Sequence, residues 1–276
     1  MKFENVQTYG WKNAIRGMRN PKGTWAKSDS FCGVIQGDWD NHDIYVALSW
    51  VKHDNPNIII GSDEERVATD NKREWIITNG TIQANRRDSV YEVAYIGPTD
   101  MGLMQRLITA GTEHCKFTRQ IGVSVDITAP LYWWKEMDQY KIGTTTDSTS
   151  TMHTVVDSPI TIDCFEIGDF DKDLIMYQHN PHNPDMYMTE FWVMFVNDLE
   201  YLRKKYQETK DKRYWKELIR LIPESWLQKR TWSGNYQNLR NIYFQRKNHK
   251  LTEWHTFCDW AKKLPYGEEL ITVGID

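Results

Sequence analysis

A change in the spacing of apolar side chains limits what this chain can fold into. Ile121, Val123, Val125 and Ile127 alternate with Gly122, Ser124 and Asp126, the period of two of a strand with one face in a core. From Thr189 to Tyr206 the apolar residues Phe191, Val193, Met194, Phe195, Val196, Leu199 and Leu202 follow helical spacing instead. Helices are also expected over Lys212–Ile222, Gly234–Arg246 and Thr252–Leu264, the last with Thr252 as N-cap. Glu74–Thr78 and Ser89–Ile96 have strand character, and the intervening Asn79-Gly80 predicts a turn. Strands come first and helices later, so the class is α+β or mixed α/β: an antiparallel or mixed sheet in the N-terminal half and a helical second half.

Shorter signals fill in the first half. Trp11, Ala14, Ile15 and Met18 give Gly10–Arg19 a helical stripe, which Pro21 stops. A helix is expected from Pro98 through Leu107, with Thr99 or Asp100 as its cap and Gly111 at its end. Ala129-Pro130 predicts a new helix carrying Trp133, Trp134 and Met137. Val46–Val51 and Ile58–Ile60 are short apolar runs, either strands or pieces of a buried helix. Residues 144–151 are eight small polar side chains in a row, which cannot build a core; they form either a plain loop or a ligand cradle of hydroxyls and backbone N–H groups.

Composition narrows the classes. The chain has 276 residues, 40% hydrophobic and 26% charged, the profile of a soluble globular protein with no internal repeat. A net charge of −4 argues against nucleic acid as a partner, so local arginines and lysines would have to hold any phosphate. Cys32, Cys115, Cys164 and Cys258 form no C-x-x-C pair, which predicts free thiols. With no apolar signal core and no run of membrane-spanning length, the expected location is the cytoplasm, with no membrane partner. The 13 Trp and 14 Tyr supply buried area first, and flat faces on which a heterocycle can stack second.

Asn235, Asn238 and Asn241 recur every three residues, and Arg246 follows five after the last. On a helix they fall within one broad side, while Leu239, Ile242 and Tyr243 can face a core. An amide both donates and accepts, which suits the edge of a pyrimidine ring, and an arginine over a uracil carbonyl stabilises negative charge developing there. A solvated polar face satisfies the same spacing, and periodicity alone does not separate the two.

The run Asn235-x-x-x-Leu239-x-Asn241-x-x-x-x-Arg246, followed by Glu253-Trp254, resembles the C-terminal signature of the flavin-dependent thymidylate synthases. Ala129-Pro130 with Trp133-Trp134-Lys135 is similar to that family's strand-to-helix junction, and His114-x-x-Phe117 to its His-x-x-x-Phe segment. The stretch from Asp147 to His153 is similar to the second half of the motif R-H-R-x-x-S-x-N-E-x-S-x-R-Y, and Ala14–Asn20 to the family's early helix. The resemblance implies one domain over 1–276, with the thymidylate synthase-complementing fold and a divergent insertion around 58–97. It implies FAD contacts at Asn235 and Asn241, with Asn20 and Lys141 also on the cofactor. Arg246 is implied to promote ionisation at the uracil N3, and Arg220, Asp147, Ser148, Thr149, Ser150 and Thr151 to hold the nucleotide. The implied reaction is reductive methylation of dUMP to dTMP, with methylenetetrahydrofolate and NADPH as co-substrates, in a homotetramer with shared sites. The same fold acting at C5 of another pyrimidine deoxynucleotide, or a non-catalytic nucleotide-binding homologue, are the alternatives.

The chain departs from the motif where R-H-R falls on Tyr140-Lys141-Ile142, leaving Lys141 as its one cation, and where Arg-Tyr has become Met152-His153. Lys135, Lys141, Lys229 or Arg230 would then carry the charge, as point charges in the lysine case and not as bidentate forks. Ser150 has no recognisable His/Asp pair beside it. His179 and His182 in a proline-flanked loop, and Asp169, Asp171 and Asp173, lack the spacing of a zinc or calcium site, so no metal is expected. His249 and His255 flank the signature and are expected to be structural.

Overall fold

The computed structural model describes residues 1–36, 76–81, 90–177 and 184–274. Strand β1 (Lys2–Tyr9) ends at Gly10, whose φ of 85° lies in the left-handed region and where a Cβ would collide with the Gln120 carbonyl. Helix α1 (Trp11–Arg19) follows and buries Trp11, Ala14, Ile15 and Met18, the stripe its spacing predicts.

Strands β2 (Phe31–Gln36), β3 (Ile76–Thr81) and β4 (Val90–Tyr95) form an antiparallel sheet in the order β2-β4-β3, with Phe31 opposite Tyr95 and Ile76 opposite Ala94. Asn79 and Gly80 do not make the expected turn. They lie inside β3, opposite Glu92 and Tyr91, and the register shifts between Ile77 and Asn79. Pairing along the ladder overrides the local turn preference, and a bulge takes up the extra residue. The runs Val46–Val51 and Ile58–Ile60, and most of the 58–97 stretch, lie outside the described residues.

Helix α2 (Pro98–Thr109) begins where Pro98 requires, but neither Thr99 nor Asp100 caps it. The cap position is Gly97, and the acceptors come from far away in sequence. Asp29 receives the Thr99 and Asp100 N–H groups at 2.7 and 3.0 Å, and Ser30 Oγ receives that of Gly97 at 3.0 Å. Asp100 is instead fully buried against Arg19, with Nε–Oδ1 2.6 Å and Nη2–Oδ1 2.5 Å, and its other oxygen accepts from Ser28 at 2.5 Å. Arg19 also donates to the Thr24 and Lys27 carbonyls, so both buried charges are saturated.

The later elements are β5 (Gly122–Pro130), α3 (Leu131–Met137), β6 (Thr145–Ser148), α4 (Thr151–Thr154), β7 (Ile175–Tyr177), β8 (Met186–Tyr187), α5 (Met188–Thr209), α6 (Lys212–Leu221), β9 (Leu227–Asn235), α7 (Tyr236–Arg246), α8 (Thr252–Lys262) and α9 (Gly267–Leu270). A four-stranded sheet has the order β1-β5-β9-β6. β5 and β9 run antiparallel: Ser233 meets Ser124 at 3.2 Å and Thr231 meets Asp126 at 2.6 Å, so one strand rises in number as the other falls. The class is mixed α+β, as the apolar periods predict. The second half is less purely helical than its periodicity suggests, because β7, β8 and β9 lie within it. At α8 the cap position is Leu251, one residue before the expected Thr252.

The chain packs into two compact units. One contains Met1–Lys2, Asp126–Gln139 and Thr146–Thr231; its core joins Val155, Ile160 and Phe165 to Val196 and Leu199 of α5 and Leu218 of α6. Within it Glu200 accepts from Arg203 at 2.6 and 2.7 Å and from the Ile160 N–H at 2.9 Å. The other contains Phe3–Val125, Tyr140–Thr145 and Trp232–Asp276, and buries Trp11, Tyr236, Leu239, Ile242, Trp254 and Phe257. Among the described residues no helix is long and apolar enough to cross a membrane.

Two stability experiments check these contacts. Asp100→Asn leaves the buried Arg19 guanidinium without its counter-charge and should lower unfolding stability by about 3 kcal/mol in urea titration. Hydrogen bonds from Arg203 hold the Glu200 pKa down from 4.5 to about 2. Because the folded value is the lower one, the stabilisation is full above pH 4.5 and is lost as pH falls towards 2. Wild type should therefore lose about 1 kcal/mol relative to Glu200→Gln across that window, solvent screening removing part of the full effect, read by denaturation at each pH.

Candidate functional site

The last residue of β9 is also the first capping residue of α7, so strand passes to helix with no loop between them. Asn235 Oδ1 accepts the Asn238 N–H at 3.0 Å, and Asn238 Oδ1 accepts the Asn235 N–H at 3.1 Å. This reciprocal box satisfies donors that every helix start leaves orphaned. Asn235 is therefore the cap of the helix that the sequence begins at Gly234. Its amide oxygen serves the helix, while its NH2 group lies beside Gly143.

Asn238 extends the arrangement by donating from Nδ2 to the Ile142 carbonyl at 2.8 Å. Gly143, at φ 75°, lies against both amides, so the segment 140–143 runs along the start of α7. Eleven residues on from Asn235, which is three turns and the same helix face, Arg246 reaches back to the same segment. Its Nε donates to Tyr140 Oη at 2.7 Å, and its guanidinium lies 5.5 Å from the Tyr140 ring centre and 4.7 Å from that of Trp254. Arg246 is half-buried, Trp254 fully buried, and the tyrosine hydroxyl in turn meets Gln245 at 3.1 Å. Two aromatic faces and a tyrosine hydroxyl thus hold this cation in place. Lys141 is exposed beside Tyr140 in the same segment.

Asn241 points elsewhere. It is exposed, and its Oδ1 accepts from Gln237 Nε2 at 2.9 Å, so its NH2 group faces outward. Gln237 is buried, and its oxygen receives Thr118 Oγ1 at 3.0 Å and the Cys115 thiol at 3.1 Å. The three asparagines that spacing places on one broad side therefore serve two flanks of α7. Asn235, Asn238 and Arg246 line the 140–143 flank, and Asn241 lines the other with Gln237. Gln237 and Tyr140 carry no family signature in the sequence; only their packing marks them.

Asn20 is exposed, and its Oδ1 accepts from Trp25 Nε1 at 2.9 Å. With Asn13, Arg16, Gly17 and Gln120 it lines an open polar groove of about 470 Å³ in the second unit. The hydroxyl-rich stretch is not a plain loop. Asp147 and Ser148 belong to β6, Thr149 donates its N–H to the Lys229 carbonyl at 3.0 Å, and Thr151 begins α4. Gln228 Nε2 holds the Thr149 carbonyl at 2.8 Å. Ser150 has a histidine beside it, its Oγ 2.7 Å from His153 Nδ1. A separation of three residues on one turn brings them together. Arg220, on α6, is ion-paired with Glu217 and half exposed.

The cations near the motif are partly committed. Arg230 donates to Asp138 at 2.9 Å and lies 4.4 Å from the Trp134 ring centre, and Lys135 pairs with Glu224 at 2.5 Å. The histidines of the C-terminal signature are structural: His249 Nδ1 accepts the Leu251 N–H at 3.2 Å, and His255 Nε2 meets the His249 carbonyl at 2.8 Å. Asp171 accepts the Asp173 N–H at 3.0 Å, closing the acidic segment into a turn. Among the described residues no cluster of three metal-ligating side chains forms; His179 and His182 lie outside them.

No family profile matches the sequence, and no characterised protein matches it. Solved structures similar to it include two of one enzyme. One, of the flavin-dependent thymidylate synthase ThyX of Helicobacter pylori complexed with FAD and dUMP, is 19% identical, with 63% of this chain and 83% of that chain covered and a TM-score of 0.45. A second structure of that enzyme with FAD and dUMP is 18% identical, covering 63% and 82% at a TM-score of 0.45.

Asn235→Ala removes an acceptor from the start of α7 and should destabilise the chain by about 1 kcal/mol in chemical denaturation. Asn235→Asp keeps the acceptor and adds a charge that the helix N-terminus favours, so it should match wild type to within about 0.5 kcal/mol.

Proposed function

We propose that the chain binds a flavin and a pyrimidine deoxynucleotide and carries out reductive methylation of dUMP to dTMP. Arg246 carries this reading. A half-buried guanidinium fixed by a tyrosine hydroxyl and two ring faces is positioned before any ligand arrives. It needs no reorganisation to stabilise a negative charge on a pyrimidine.

The amides fit the same chemistry. Asn235 and Asn241 both direct their oxygens into the helix and keep NH2 donors for acceptors outside it, as the carbonyls of a flavin or uracil ring require. Lying on two flanks of α7, they serve separate edges of the ligands in this reading. In this reading Asn20 and Lys141 complete the cofactor contacts, and Arg220, Asp147, Ser148, Thr149, Ser150 and Thr151 those of the nucleotide. Flavin supplies hydride chemistry when bound, with NADPH as its reductant and methylenetetrahydrofolate as carbon donor; the chain positions rings and stabilises charge. A cytoplasmic homotetramer with shared sites belongs to the same proposal.

The purified chain mixed with FAD should show a perturbed flavin absorbance that changes again on adding dUMP. Arg246→Ala should keep the fold and the flavin band while turnover falls at least about 100-fold, the scale of one lost transition-state donor. A wild-type chain that leaves the spectrum of free FAD unaltered would overturn the proposal.

A further inference from the structure

On the flank of α7 away from Arg246 lies a cavity of about 290 Å³, lined by Ile108 of α2, by Thr112 and Cys115, and by Gln237, Arg240, Asn241, Phe244 and Gln245. Its charge comes from Arg240. That side chain is only 5% exposed, donates from Nη1 to the Ile271 carbonyl at 3.1 Å, and stacks 4.9 Å from the Phe244 ring centre. None of the described residues gives it a carboxylate partner, unlike the buried pairs Arg19–Asp100 and Arg203–Glu200. A guanidinium has five N–H donors, and burial without a counter-charge is costly. That burial pulls the Arg240 pKa below its ordinary value.

The other polar groups of the cavity do not remedy this. The Gln237 oxygen is occupied by Thr118 and Cys115, and the Asn241 oxygen by Gln237. What remains towards the cavity is a surplus of donors, the Arg240 guanidinium and the Asn241 NH2, against apolar surface from Ile108 and Phe244. A chamber with donors at one side and an apolar wall at another is built for an acceptor-rich head on an apolar body.

We propose that this cavity is a binding site for an oxyanion, phosphate or carboxylate, carried on an apolar or aromatic group, with Arg240 as its counter-charge. The site does not rest on the flavin reading. It shares only Asn241 with that reading, and Arg240 lies outside the family signature. Arg240 grips the anion through the N–H groups that Ile271 does not use, and the bound anion supplies the missing charge.

The test uses the full chain without flavin and two probes by titration calorimetry: inorganic pyrophosphate for phosphate ligands and benzoate for aromatic carboxylates. At least one should bind, and the stronger of the two identifies the anion class. Arg240→Gln should weaken that binding at least tenfold. Thr112 is exposed on the rim and outside every group assigned to flavin or nucleotide, so Thr112→Glu tests the site without touching the core. It should also weaken binding at least tenfold by repelling the anion, whereas Thr112→Gln, of the same size and neutral, should bind as wild type does. Arg246→Ala should retain full affinity, which separates failure of this site from failure of the flavin reading. If neither probe binds wild type, or if Thr112→Glu binds as tightly as Thr112→Gln, the inference is wrong.

Discussion

At Asn235 the backbone turns from extended to helical within one residue, and that corner fixes the register of α7. Helix starts leave N–H groups without partners, and here two asparagine oxygens and the Ile121 carbonyl, 3.0 Å from the Tyr236 nitrogen, take them. Rotation by one residue would turn every side chain about 100° around the axis. With the register set, Leu239 and Ile242 enter the core, Arg246 meets Tyr140, and Gln237, Arg240 and Asn241 face the cavity. One amide pair thus determines which groups of the helix can reach a ligand.

Aromatic residues give this corner its stiffness. Trp11 packs edge-on against Tyr236 at 5.3 Å and against Tyr266 at 5.7 Å, and Tyr236 donates its hydroxyl to the Pro265 carbonyl at 2.5 Å. Burial raises the pKa of both tyrosines, so both stay neutral at any physiological pH, Tyr236 as a donor and Tyr266 as the acceptor of the Ile96 N–H. Rings also hold the arginines: Arg230 lies over Trp134, Arg240 over Phe244, and Arg246 between Tyr140 and Trp254. A ring face fixes a guanidinium while using none of its N–H donors, which suits an arginine meant to hold an anion. The abundance of Trp and Tyr is mostly a packing device, and cation placement is its second use.

Helix α7 illustrates how far spacing reads. Asn235, Asn241 and Arg246 stand out in the sequence because their intervals fit one side of a helix and resemble a family signature. Spacing could not assign them to flanks, since residues six apart on a helix are neither aligned nor opposed. It also overlooked His153 beside Ser150, a contact that needs only one helical turn, because the turn itself is set by β6 ending where it does. Arg240 belongs to no motif in the sequence; what distinguishes it is burial without a carboxylate partner among the described residues, which no interval records.

By itself the sequence determined the local elements: the alternation of β5, the stripes of α1 and α5, the stop at Pro21 and the helix start at Pro98. Each is fixed by neighbours within about one turn or one pleat, so the period of apolar residues suffices. Tertiary structure alone decided what joins residues far apart in the chain. Asp29 caps a helix about seventy positions later, Gln237 ties α7 to Thr118, Thr78 becomes a bulge in place of a turn beside it, and β9 enters a sheet with strands from the first half. Those contacts depend on hydrogen-bond partners and excluded water that exist only once distant segments have met, and no local pattern encodes them.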